Sequence, residues 1–267
     1  MTVWQAIVLG IVQGLTEFLP ISSTAHLYVV PQLLGWGKPP TSFVAVIQLG
    51  TLVAVLSYFS KDIWQIVRDV IVRGPRAKLG WMIAVGTVPA VVFGVLFEDA
   101  IEGSLTSLYV ISGSLIVLAL ILWLAEVVAS KARTMEQLHW SDAVLVGLAQ
   151  AIALIPGSSR SGVTITCGLF LGMTRETAAR FSFLLSLPAI TGAGLFQLVK
   201  EREQLFASEN STAALVVATL VSAVVGYASI AFLLRYLKTH TTFLFIGYRL
   251  VLGGILLLLL WAERLQP

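Results

Sequence analysis

The sequence predicts an all-α integral membrane protein, with six transmembrane helices and two re-entrant helix-loop-helix segments arranged as an inverted-topology repeat. Three observations predict it. Of the 267 residues, 57% are hydrophobic and 12% charged, with a mean hydropathy of +0.91; that is too little polar side chain to cover a water-soluble globule. The apolar residues fall into separate runs of bilayer-spanning length. Two further runs are broken midway by proline and serine, and these two resemble each other.

In chain order, residues 3–34 form the first broken segment, interrupted by PISST at 20–24. Proline stops one half-helix, and the hydroxyls that follow suit the N-cap of the next. Spans are expected at roughly 42–59, 81–97 and 107–125, bounded by charged or Gly/Pro-rich stretches. The second broken segment covers 141–172 with PGSSRSG at 156–162, and spans follow at about 177–199, 212–234 and 242–262. The alternative of eight full crossings would place Glu17, His26 and Arg160 inside membrane-crossing helices. Tryptophans 4, 36, 64, 81, 123, 140 and 261 fall near expected span ends, as an interfacial belt requires.

Gly10-Ile-Val-Gln13 matches Gly147-Leu-Ala-Gln150, displaced by 137 positions, and Pro20-Ile-Ser22-Ser23 matches Pro156-Gly-Ser158-Ser159, displaced by 136. Residues 1–267 thus form one membrane domain of two halves, 1–130 and 135–267. With an odd number of crossings per half, the second half is inverted. The charges follow this topology. Lys61, Arg68, Arg73, Arg76 and Lys78, then Lys131 and Arg133, then Arg235 and Lys238, fall in segments that share the cytoplasmic side. Glu98, Asp99 and Glu102, and a mixed stretch at 200–209, fall on the other. Both ends of the chain and the first re-entrant segment therefore face outward. Arg175 and Arg180 mark the cytoplasmic end of a span.

The net charge of +3 is a topology signal of this kind, not a nucleic-acid footprint. Cys167 is the single cysteine, which excludes an intrachain disulfide and a cysteine-based metal site. The N-terminal stretch has no basic n-region and carries an acid, which argues against a cleaved signal peptide.

Irregular backbone at membrane depth is tolerated only where protein buries it or a wet cavity solvates it. Two breaks therefore imply one polar pocket, with half-helix N-termini presenting free N–H groups to an anion. Gln13 and Glu17 lie one turn apart on one helix face. Ser22, Ser23 and Thr24 follow at the break, and His26 one turn later. An ionisable group inside a membrane protein is a functional candidate by default; Ser22 and Ser23 are equally explained as helix caps. In the second copy, Ser158, Ser159 and Ser161 surround Arg160, whose planar fork matches phosphate oxygens. A purely structural pair between Arg160 and Glu17 is the competing reading. Gln48 and Arg249 are weaker candidates, the latter placed to snorkel to the interface.

QGLTEFLPISSTAH resembles the (E/Q)xxxE-type and PxSSTxH signatures of the bacterial undecaprenyl-diphosphate phosphatases, the BacA type, and PGSSRSG resembles their second signature. IQLGT at 47–51, TVPAVVFGVLFEDAIE at 87–102 and RFSFLLSLPA at 180–189 also resemble family segments. The resemblance implies hydrolysis of an undecaprenyl diphosphate to the monophosphate, which recycles the carrier lipid for cell-wall synthesis and relates to bacitracin resistance. It also implies a divalent cation and a bacterial plasma membrane location with an outward-facing site. Carried over by position, Glu17 is the second acid of the first motif, Ser22, Ser23 and His26 belong to the second, and Arg160 is the signature arginine; many members have Glu where this chain has Gln13.

On this reading, Glu17 and Gln13 hold Mg²⁺ or Ca²⁺, Arg160 neutralises the transferring phosphoryl, and Ser22, Thr24, Ser158, Ser159 and Ser161 line the substrate. His26 serves as nucleophile, or as base for Ser23 or water; sequence leaves these open. Expected partners are the polyprenyl diphosphate and membrane lipids, with no nucleic acid; a homodimer is compatible. The rivals are a lipid transporter, because paired broken helices are a transport architecture, and a non-catalytic lipid-binding scaffold.

Overall fold

A computed structural model describes residues 1–37, 39–97, 101, 103, 105–206 and 209–263. Glu98, Asp99 and Glu102 of the expected acidic loop lie outside the described residues, as does part of the 200–209 stretch.

The chain runs through α1 (Val3–Phe18), α2 (Ser23–Leu33), α3 (Thr41–Tyr58), α4 (Ser60–Val72), α5 (Ala77–Leu96), α6 (Leu108–Val128), α7 (Trp140–Ile152), α8 (Arg160–Phe170), α9 (Arg175–Lys200), α10 (Glu209–Leu237) and α11 (Phe243–Trp261). Apart from helices, the described residues contain only turns, short loops and one isolated bridge, between Arg133 and Met173. Helices α3, α5, α6, α9, α10 and α11 are each long and apolar enough to cross a bilayer, and at most half of each apolar window is buried by the protein itself. Their remaining apolar surface needs lipid to cover it. This is a multi-pass membrane protein.

Both broken segments are present. Helix α1 starts on a capping box in which Thr2 Oγ1 accepts from Gln5 N and Gln5 Oε1 accepts from Thr2 N. It stops at Phe18, just before Pro20. Helix α2 then starts on Ser22, whose Oγ accepts from Ala25 N at 3.3 Å. The second break starts α8 on Ser159, whose Oγ accepts from Gly162 N at 3.2 Å. Both caps hold the same left-handed backbone, φ/ψ 74/100 at Ser22 and 68/103 at Ser159, a region that costs a non-glycine residue about 1–3 kcal/mol. The shared geometry pairs Ser22 with Ser159, the same displacement of 137 that relates Gly10 to Gly147. String matching instead pairs Ser22 with Ser158. The cap corrects that register by one and aligns Ser23, not Thr24, with Arg160.

Helix pairings exchange under the same correspondence. Helix α1 packs on α10 and α7 on α5, α10 packs on α3 and α5 on α9, while α3 meets α9 and α6 meets α11. Gly10 and Gly147 make the corresponding close approaches. A Cβ on Gly10 would lie 2.6 Å from Ala218 O in α10, and one on Gly147 2.3 Å from Gly86 O in α5. Small residues let backbones approach where no hydrophobic drive separates helix from lipid.

Helix α4 lies within the basic stretch between the first two expected spans, where a loop is expected from the sequence. It is amphipathic: Ile66 is buried against α5, Trp64, Val67, Ile71 and Val72 are exposed, and Lys61 and Arg68 sit on the same helix. Thirteen residues are too few to span, so length excluded it from the expected crossings, while its 3.6-residue periodicity was available to be read.

Around α4 and the ends of α6, α9, α10 and α11, ion pairs cluster. Asp62 meets Arg76 at 2.9 Å and Arg180 at 2.7 Å, Arg133 meets Asp142 at 2.6 Å, Lys238 meets Glu176 at 3.6 Å, and buried Glu126 pairs with Arg175 and accepts from Thr242 Oγ1. The Glu17–Arg160 pair, at 2.7 Å, lies away from this end.

Candidate active site

The breaks place the ends of α1, α2 and α8 together. Ser161 Oγ donates to Leu19 O at 3.1 Å, joining one break to the other. Beneath them, Phe18 and Phe183 pack edge to face at 5.2 Å and form an apolar floor with Ile21 and Phe59.

Glu17 sits at the last turn of α1 and is buried. One oxygen, Oε1, receives Arg160 Nη2 at 2.7 Å; the other, Oε2, receives Gln13 Nε2 at 2.9 Å and Ser23 Oγ at 3.0 Å. Residues 143 positions apart therefore meet on a single carboxylate. Arg160 is steadied by Ser182 O at 3.4 Å, and Ser182 shares a hydroxyl contact with Thr164 at 2.6 Å. Gln13 Oε1 is buried with no hydrogen-bond partner among the described residues.

His26 stands apart from that carboxylate. Its Nδ1 lies 2.6 Å from Ser22 O. A carbonyl oxygen only accepts, so Nδ1 carries the proton, and in the neutral ring Nε2 is an acceptor. Nε2 lies 2.5 Å from the Tyr248 hydroxyl, and the two rings stack with centroids 5.6 Å apart at 12°. Tyr248 therefore donates to the one free lone pair of His26.

The expected site residues divide by what they touch. Glu17, Ser23, Arg160 and Gln13 form one connected cluster, and His26 adjoins it through the Ser22–Ser23 backbone. Ser22 and Ser159 are helix caps, Ser161 ties the breaks, and Ser158 Oγ is buried without a partner. Thr24 is exposed at the start of α2. Arg249 does not snorkel: it is 0% exposed and donates to Leu115 O, Ser114 O and Ser158 O.

Tyr248 and Ser182 were missed. A tyrosine in the second turn of an apolar span, next to Arg249, is a polar signal that Arg249 overshadowed. Ser182, in RFSFLLS, carries no pattern of its own.

A family profile described as "Bacitracin resistance protein BacA" matches residues 6–255. The chain belongs to this family. Among curated relatives of the BacA family chain, an "Undecaprenyl-diphosphatase" of Chlorobium phaeovibrioides is 61% identical, covering 100% of both sequences. One of Chlorobium limicola is 58% identical over 97% of each. A third, of Chloroherpeton thalassium, is 56% identical over 100% of this chain and 99% of its own length. The BacA match spans both breaks and all the helices that bring Glu17, Ser23, His26 and Arg160 together.

Proposed function

We propose that this BacA family protein hydrolyses undecaprenyl diphosphate to undecaprenyl phosphate and inorganic phosphate, and so returns the carrier lipid to cell-wall synthesis. One observation carries the reading: a single carboxylate, Glu17, holds a hydroxyl and a phosphate-matching guanidinium at once. The names of its relatives agree with it.

In the resting protein, Glu17 stands where a phosphate would stand on Arg160. The terminal phosphate of the substrate takes the Arg160 fork and leaves the carboxylate to receive the Ser23 proton. Ser23 Oγ then attacks the terminal phosphorus, the bond from phosphorus to the bridging oxygen breaks, and the lipid monophosphate departs. Tyr248 releases His26 Nε2, which takes a proton from water; the resulting hydroxide attacks the phosphoserine, Ser23 recovers its proton from Glu17 as phosphate leaves, and His26 Nε2 gives its proton to the departing phosphate. Free N–H groups at the start of α8 stabilise charge on the phosphoryl oxygens. The contrast between the two breaks, acid and hydroxyl in one and guanidinium in the other, favours chemistry over transport.

Gln13 Oε1, buried without a partner beside Glu17, fits an oxygen-ligated Mg²⁺ or Ca²⁺. Among the described residues no cluster of three acidic, histidine or cysteine side chains exists for a metal, so substrate oxygens and water would complete the coordination. Such an ion supplies neutralisation of diphosphate charge.

The exchange of helix pairings and the matching caps support two inverted halves, 1–130 and 135–267. The ion-pair-rich end, which also carries the expected cytoplasmic lysines and arginines, supports an outward-facing Glu17 site in a bacterial plasma membrane.

The test is phosphate release from undecaprenyl diphosphate by purified protein, beside Ser23→Ala, Glu17→Gln and Arg160→Gln. Loss in all three is expected, and undiminished release would overturn the reading. A trapped phospho-enzyme identifies the nucleophile. Acid-stable, alkali-labile phosphate belongs to Ser23; acid-labile phosphate would give the attack to His26 Nε2.

A further inference from the structure

Arg249 is a cation in the interior of a membrane protein with no counter-ion. It is 0% exposed, and among the described residues no carboxylate lies within ion-pair distance of it. Its Nε and Nη2 donate to three backbone carbonyls: Leu115 O at 3.2 Å, Ser114 O at 3.2 Å and Ser158 O at 3.0 Å. Nη1, with two N–H groups, is buried with no partner. A charge so placed costs several kcal/mol unless something compensates it, and carbonyls satisfy hydrogen bonds without cancelling charge.

The unused end of the guanidinium is aimed at the second break. A Cβ built on Gly162 would lie 2.7 Å from Arg249 Nη1, so only glycine leaves the start of α8 open to it. In the same turn Ser158 is 1% exposed, and its Oγ likewise has no partner among the described residues. Two unpartnered buried groups, a helix N-terminus and an uncompensated positive charge meet at one turn. The same turn carries Arg160, the first residue of α8. The segment Ser158–Gly162 thus carries one guanidinium, Arg160, which holds the anionic Glu17, and touches a second, Arg249, which holds carbonyls but no anion among the described residues.

We propose that Arg249 Nη1, Ser158 Oγ and the backbone at the start of α8 form a second anion position, which holds the phosphate that stays with the lipid while Arg160 holds the one transferred. This rests on the diphosphatase reading and deepens it. Two phosphates joined by one bridging oxygen carry charge that a single arginine cannot match, and two cations flanking one short turn recognise a diphosphate over a monophosphate. The site is closed at rest, so substrate entry and the release of Glu17 from Arg160 open the same turn.

The test is direct binding of inorganic diphosphate and, separately, inorganic phosphate to the purified protein by titration calorimetry, for wild type, Ser158→Ala and Arg249→Gln. Ser158→Ala is the deciding variant, because a hydroxyl without a partner can be removed without stranding another group. Its diphosphate affinity is expected to fall about ten-fold, the effect of one hydrogen bond to a charged group, with monophosphate affinity within about two-fold and an unchanged melting temperature. Arg249→Gln, where it folds, is expected to lose the preference for diphosphate altogether. Unchanged diphosphate affinity in Ser158→Ala overturns the proposal whatever Arg249→Gln does, as does a wild type that binds the two anions equally. Failure of the wild type to hydrolyse undecaprenyl diphosphate would instead strike the proposed function, and the binding measurement reads the anion position without it.

Discussion

Glu17→Gln removes one negative charge and keeps the shape of the side chain, so it isolates what the charge does at the centre of the site. The carboxylate receives Arg160 at 2.7 Å, Gln13 at 2.9 Å and Ser23 at 3.0 Å. Side-chain exposures of 15% for Arg160 and 6% for Glu17 leave little water to screen the pair, so it behaves as a buried one. Stranding Arg160 by Glu17→Gln costs about 3–5 kcal/mol of stability, and Arg160→Met strands Glu17 at similar cost. The double variant strands no charge, so its loss falls short of the sum by at least about 3 kcal/mol. Unfolding in detergent mixed with increasing dodecyl sulfate measures each free energy. Activity follows a different rule: each single variant loses phosphate release by about 10³-fold, and the double variant does not regain it. Additive stability losses would refute the pairing as an energetic unit, and an active double variant would refute its part in the chemistry.

Tyr248→Phe keeps the stacked ring and removes only the hydroxyl on His26 Nε2; stability changes by about 1 kcal/mol or less, while kcat falls several-fold and His26→Ala abolishes turnover, as phosphate-release kinetics will show. Ser22→Gly is milder than Ser22→Ala, because glycine relieves the φ of 74° as the cap is lost, whereas alanine loses about 1 kcal/mol of capping and keeps the strain; paired melting curves check the order. Gly147→Ala drives a Cβ to 2.3 Å from Gly86 O and costs about 1–3 kcal/mol, while Gly247→Ala, facing open space, leaves the melting temperature nearly unchanged. Chelation is expected to stop phosphate release and added Mg²⁺ or Ca²⁺ to restore it, with Gln13→Ala raising the half-saturating metal concentration; full activity in chelator would remove the ion from the mechanism.

Hydropathy and punctuation made most of the fold legible in the sequence. The six expected spans fall on the six apolar helices to within a few residues, because a bilayer demands a continuous apolar run that no other feature imitates. Pro20 and the serines after it announced the first break, and Pro156 with its glycine and serines the second, because proline and capping residues act locally. Helix α4 escaped because a membrane-length criterion discards thirteen residues, and its amphipathic period was the overlooked signal.

By itself the sequence singled out the candidates for chemistry: Glu17, Ser23, His26 and Arg160 are polar where an apolar environment makes polarity costly. It could not determine who touches whom. Glu17 and Arg160 are 143 residues apart, His26 and Tyr248 are 222 apart, and neither pairing has a local cause. Only packing placed Glu17 between Ser23 and Arg160, turned Ser22 and Ser159 into matching strained caps, and sealed Arg249 away from the interface its length would have let it reach. Local rules fix helices and breaks from a few neighbouring residues; the contacts that make a site depend on the docking of whole helices, which no short window of sequence contains.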